Sequence, residues 1–190
     1  MMNQWRLLCN ILWPEPAVHS FPLFQPGIYK NTYYILPYKN SIAKTAIRNN
    51  KFHYHKVSAL YLAEVIDTVL EKYNNLTIIP IPSSSARLRS RGFEHLLHIL
   101  ELSKYNDRVQ TEIVRKKVHT KPQSHVNKKT RLRQQTNTFI CNTKAAMQLT
   151  GTIILFDDVV TTEATMAAAR ASLDPHLASG TKLICLAIAH

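Results

Sequence analysis

One stretch constrains the fold more than any other: TIILFDDVVTTEATMAAARASL, residues 152–173. Four consecutive apolar residues, β-branched or large, lead into the paired acids Asp157 and Asp158. A short, continuously apolar run of this kind suits a strand buried on both faces, as in a parallel sheet. The threonines and the alanine-rich run behind it predict a helix over 162–173. A buried strand feeding a helix is half of a βαβ unit. Similar signals occur elsewhere. LTIIPIP (76–82) predicts a strand ending near Pro82. Residues 83–102 carry Phe93, Leu96, Leu97 and Leu100 on one face of a helix that Gly92 weakens. RVQTEIVRK (108–116) predicts a second strand, and KLICLAIA (182–189) a last one. A helix from Val57 to about Tyr73 precedes them. This alternation predicts an α/β domain with a parallel sheet flanked by helices.

Residues 1–37 read differently. Pro14, Pro16, Pro22, Pro26 and Pro37 interrupt the pattern, so an irregular N-terminal arm is expected there, with the domain over 38–190. The segment has a short apolar patch but neither a charged leader region nor a small-residue cleavage site. No run reaches the roughly 18 apolar residues of a membrane span.

With 190 residues, 45% of them hydrophobic, the chain can bury a core. The three cysteines are far apart in sequence and form no CxxC, so neither a zinc ribbon nor a disulfide framework is expected, and the compartment is read as reducing and cytoplasmic. Nine histidines invite a metal reading. His95 and His98 lie one turn apart, but no third ligand stands at metal spacing.

The net charge is +12, and it is concentrated. Between Arg87 and Arg133 there are thirteen Lys/Arg and four Asp/Glu. A field of that sign suits phosphorylated metabolites or nucleic acid.

In an open parallel sheet, ligands bind beyond the carboxyl ends of the strands. Asp157 and Asp158 sit at such an end, although neighbouring strand residues point to opposite faces. Carboxylates there can accept hydrogen bonds from sugar hydroxyls. Thr161, Thr162, Glu163, Ala164 and Thr165 span the helix start, where free N–H groups and hydroxyls can cradle a phosphate. Aspartate at a strand end and threonine as N-cap are also ordinary structural choices.

The segment IILFDDVVTTEAT resembles the phosphoribosyl pyrophosphate (PRPP) signature of type I phosphoribosyltransferases. Two further segments, IIPIPSSSARLRSRGFEH and the run from Arg115 to Phe139, resemble the ComF/GntX competence-protein family, as does NNKF around Lys51. Arg115, Thr120, Gln123, Arg131 and Phe139 carry the match in the basic run. Glu94, Val126 and Gln134 depart from it. The resemblance covers roughly residues 38–190. It implies a type I phosphoribosyltransferase-like domain that binds PRPP or ribose 5-phosphate. Mg²⁺ would be brought with the ligand near Asp157 and Asp158 rather than held in a protein cage. The two acids would meet the ribose hydroxyls and Thr161, Thr162 and Thr165 the 5′-phosphate. Ser83, Ser84, Ser85 and Arg87 would face pyrophosphate, though serine is equally a favoured N-cap. Arg89, Arg91, Arg115, Lys117, Gln123 and Arg131 would form a basic lid or contact nucleic acid. The family also implies a part in DNA uptake, so a rival reading is a non-enzymatic module for single-stranded DNA or competence-machinery proteins, with a degenerate PRPP loop. Two departures stand out. The family's cysteine-rich zinc segment is absent, and Glu163 replaces the signature glycine. That exchange adds bulk and negative charge where a phosphate would lie, so Glu163→Gly is expected to bind PRPP more tightly. No residue set reads an acceptor base, and oligomeric state is left open.

Overall fold

The computed structural model describes residues 26–117 and 138–190. It forms a five-stranded sheet in the order β1-β2-β7-β6-β3 and a separate two-stranded ribbon, β4-β5. Strands β1 (Gly27–Tyr29) and β2 (Thr32–Leu36) make an antiparallel hairpin, and β2 then pairs in parallel with β7 (Lys182–Ala189). Next come the parallel strands β6 (Thr152–Val159) and β3 (Leu76–Pro80). The chain is therefore an α/β domain with a mostly parallel sheet flanked by helices, as the alternation of elements requires. This architecture is consistent with a type I phosphoribosyltransferase-like fold.

The alternation of side chains along β6 divides the core in two. Ile154 and Phe156 face α1 (Ser41–His53), α2 (Lys56–Leu70) and α4 (His95–Leu100), in a cluster with Ile47, Leu62, Ile66, Leu96 and Ile99. Ile153 and Leu155 face the other way. They pack with Met166, Ala169 and Leu173 of α6 (Ala164–Leu173), and with Val114 of β4 (Val114–Lys116) and Phe139 of β5 (Phe139–Cys141). These are completely or almost completely buried side chains, and burial of each contributes roughly 1.5–3 kcal/mol. A short helix, α5 (Thr143–Ala146), connects the ribbon to β6.

Several local expectations differ from what is observed. Residues 27–36 are not irregular. Pro26 and Pro37 lie outside the hairpin, so they bracket β1 and β2 without removing a ladder donor, and the β-branched and aromatic run from Thr32 to Leu36 forms an inner strand. Residues 1–25 lie outside the described residues. Helix α1 carries only a thin apolar stripe, Ala43, Ala46 and Ile47; the Asn40 side chain starts it by accepting from the backbone N–H groups of Ile42 and Ala43. The expected helix over 83–102 is broken at Gly92, which takes φ 81° and caps α3 (Ser85–Arg91) before α4 begins. The expected strand over 108–116 is mostly loop. Only Val109 bridges to Ile78, and β4 pairs antiparallel with β5 instead of joining the main sheet. Gln123 and Arg131 lie outside the described residues. Among the described residues, no helix is long and apolar enough to cross a membrane.

Candidate functional site

The carboxyl ends of β3 and β6 place the expected ribose and pyrophosphate residues at one end of the sheet. Strand β6 remains extended through Val159, so its two acids diverge. Asp158 continues the face of Ile154 and Phe156 and is buried. Asp157 continues the face of Ile153 and Leu155 and is half-buried.

Asp158 is fully engaged. Its Oδ1 accepts from the backbone N–H of Val159 at 2.9 Å, and its Oδ2 pairs with the Lys51 ammonium. His95 Nε2 stands 3.2 Å from the same oxygen, inside ion-pair range but off the line of a hydrogen bond. Burial alone would raise the Asp158 carboxyl. The His95 contact and the Lys51 charge outweigh it and hold the group well below the usual carboxylate range. Asp157 goes the other way: burial and the neighbouring Asp158 charge push it up to about 8. Its Oδ1 accepts from the backbone N–H of Asp158 at 2.8 Å. Lys116 is half-buried on the same side of the sheet. Burial and the Arg87 charge lower its ammonium, and Asp157 partly offsets them.

The loop after β6 is open to solvent. Thr161, Thr162, Ala164 and Thr165 are exposed, and no side chain caps the first N–H groups of α6. The three threonine hydroxyls have no hydrogen-bond partner among the described residues. Glu163, immediately before α6, has φ 60° and ψ −8°. This left-handed conformation costs a non-glycine residue roughly 1–2 kcal/mol. Its carboxylate is turned back onto the β1–β2 turn, where Oε1 accepts from the Asn31 backbone N–H at 2.8 Å and from Thr32 Oγ1 at 3.3 Å. The negative charge is thus tied to the hairpin, and the residue occupies backbone space that glycine would take without strain.

A testable consequence follows from the two opposing effects. Glu163→Gly relieves the backbone but loses the hairpin contacts, so its melting temperature should stay close to wild type. Glu163→Ala loses the contacts and keeps the strain, and should be about 1 kcal/mol less stable, a fall of roughly 3 °C. Thermal melts of both variants decide this. An alanine variant as stable as the glycine one would mean that the loop does not hold the left-handed conformation.

The remaining expected residues fall into distinct roles. Ser84 is the N-cap of α3, its Oγ accepting from the Arg87 backbone N–H at 3.3 Å, which is its structural use. Ser83 is half-buried, while Ser85, Arg87 and Arg89 are exposed at the same sheet end. Arg91 does not face solvent like its neighbours. It lies over the Phe52 ring and reaches His95. Arg115 pairs with Glu112 on the exposed side of β4, and Lys117 closes the ribbon through a backbone bond to Thr138. Three residues with a clear place beside the acids were not singled out from the residue pattern: Lys51, His95 and Lys116. The resemblance around NNKF marks Lys51, and histidine spacing marks His95 only as a candidate metal ligand. Each comes from a different element, so spacing carries no trace of their convergence. Among the described residues, no group of three or more His, Cys, Asp or Glu side chains could hold a metal ion.

No family model matches the chain, and no curated protein matches it in sequence.

Proposed function

We propose that this chain is a phosphoribosyltransferase-type domain of ComF-like character, which binds PRPP or ribose 5-phosphate at the carboxyl end of β6. The observation that carries the reading is the loop itself. An acid at the end of a buried parallel strand is followed by three exposed threonines whose hydroxyls have no partner among the described residues, and by a helix start without a side-chain cap. The position where the resemblance puts glycine adopts the conformation glycine favours. Hydroxyls and free N–H groups at a helix start suit a dianionic phosphate, and an acid beside them suits a sugar hydroxyl. Ser83 and Arg87, with Lys116 near enough to feel the Arg87 and Asp157 charges, would supply donors and positive charge for a pyrophosphate.

The donor set fits Mg²⁺ only as a shared ion, with most oxygens coming from the ligand's phosphates and water. The ion would help neutralise the leaving pyrophosphate. In phosphoribosyl transfer the sugar carbon becomes cationic as pyrophosphate departs. The chain's own part is to fix the ribose through its hydroxyls, hold the 5′-phosphate still, and set positive charge beside the leaving group. A second reading, a nucleic-acid-binding module, is favoured by the exposure of Arg87, Arg89 and Lys117.

Backbone amide shifts test the choice. Ribose 5-phosphate should perturb Asp157 and the amides of residues 161–166 at low salt and at 150 mM salt alike. Perturbation by an oligonucleotide alone, lost steeply as salt rises, would replace this proposal with the second reading.

A further inference from the structure

We propose that the two acids of the loop have separate tasks: Asp157 alone meets the ribose, and Asp158 is a positioning residue held by a part-buried network of Lys51, His95 and Arg91. The division of roles rests on the phosphoribose reading of the site.

The geometry leaves Asp158 little freedom. Its side chain is 6% exposed, and both of its oxygens are taken, one by the Val159 N–H and the other by the Lys51 ammonium beside His95 Nε2. Arg91 Nη1 lies 3.0 Å from His95 Nδ1. A guanidinium can only donate, so Nδ1 must accept, and the neutral ring carries its proton on Nε2, facing Asp158. Arg91 thereby selects the tautomer that complements the carboxylate. The neighbouring Asn50 is buried and ties the same two helices together. Its Nδ2 donates to the His95 carbonyl at 2.9 Å, and its Oδ1 is 2.7 Å from His98 Nδ1. The network therefore joins α1, α4 and the end of β6.

Asp158 acts on the site through its own backbone. The Asp158 N–H donates to Asp157 Oδ1 at 2.8 Å, so anchoring the Asp158 side chain sets the peptide that orients the Asp157 carboxyl. To accept a ribose hydroxyl, Asp158 would have to give up an ammonium in a buried position, an unfavourable exchange. Among the described residues Asp157 forms no salt bridge, although the Lys116 charge lies near it, and it continues the face of Ile153 and Leu155 that packs on α6. The chain of influence runs from Arg91 to His95, to Asp158, to Asp157, and so to the sugar.

Ring ¹⁵N spectra and ribose 5-phosphate titrations of the full chain test this. Wild-type His95 should show the Nε2–H tautomer, and Arg91→Met should shift it toward a mixture. At pH 9, Asp157→Asn should weaken ribose 5-phosphate at least tenfold without lowering the melting temperature. Asp158→Asn should lower the melting temperature by about 5 °C or more and weaken binding only about threefold. Removing both charges, in Lys51→Met with Asp158→Asn, should recover much of the melting temperature and keep that modest loss of affinity. The double variant also answers the question should Asp158→Asn alone fail to fold. A double variant that recovers stability but binds ten or more times more weakly would put Asp158 on the ribose and overturn the division of roles. An Nδ1–H tautomer in the wild type, or no recovery in the double variant, would overturn the network even if the wild type bound no ribose 5-phosphate. That last result by itself would remove the phosphoribose reading.

Discussion

Replacing Thr161, Thr162 and Thr165 together by valine is expected to weaken ribose 5-phosphate binding about a hundredfold and leave the fold intact. Valine keeps the shape and β-branching of threonine and removes only the hydroxyl. All three side chains are exposed, and none of the hydroxyls has a partner among the described residues, so the free protein loses no hydrogen bond. The complex would lose three donors to a charged acceptor. Such hydrogen bonds are worth roughly 1.5–3 kcal/mol each. Water takes over part of that, leaving about 1 kcal/mol per site, or about 3 kcal/mol in all, which corresponds to roughly a hundredfold. Isothermal titration beside a thermal melt measures both halves of the claim. An unchanged affinity would remove the threonines from the phosphate site. A collapsed melting temperature would mean that they serve the fold.

The second large effect concerns Asp157 and pH. Its carboxyl titrates near 8 in the folded chain, against an ordinary value near 3.8, because of burial and the Asp158 charge. Between those two values the folded state holds a proton that the unfolded chain has lost. Stability should therefore fall as pH rises from about 4 to about 8 and level off above, when the folded group too is ionised. Asp157→Asn carries no such proton. At pH 4 it should melt close to wild type. At pH 9 it should be more stable by about 2 kcal/mol, a rise of roughly 5 °C, after allowing for partial solvent access and the nearby Lys116. Melting curves across this range check the sign and the size. A wild-type protein whose stability is flat between pH 5 and 8, with no gain in the asparagine variant, would show that Asp157 ionises as an ordinary surface acid. The same variant should lose most ribose 5-phosphate affinity above pH 8, where the wild-type group is a carboxylate, and less below it, so stability and ligand affinity move in opposite directions at high pH.

What could be read in the sequence, and what could not, follows from the range of the interactions. Strands β6 and β7 were legible to the residue because a strand buried on both faces is written as an unbroken apolar run, and both ends are marked. The helix after β6 was legible for the same local reasons, except that it starts at Ala164, with Thr162 and Glu163 in the preceding loop. The divergence of Asp157 and Asp158 followed from strand alternation alone. Which acid would be engaged did not. That depended on Lys51 and His95, 107 residues away in one case, meeting at the end of β6. The hairpin of residues 27–36 was hidden by prolines that proved to lie outside it. The segment 108–116 had strand-like residues, but its edge in the sheet is used only by the bridge at Val109, and its apolar residues Ile113 and Val114 pack under the second layer instead. Glu163 was visible as an anomaly from its replacement of glycine. Its tie to Asn31 and Thr32 required the hairpin that the prolines concealed.

The most direct measurement is a calorimetric titration of the chain with PRPP, with and without Mg²⁺, alongside ribose and inorganic phosphate separately. The account predicts one site per chain, micromolar or tighter for PRPP with Mg²⁺, and much weaker binding of ribose or phosphate alone, since both halves of the loop must be filled together. PRPP binding no tighter than inorganic phosphate would contradict it, because a general basic surface would then explain all the affinity and the loop after β6 would hold no sugar.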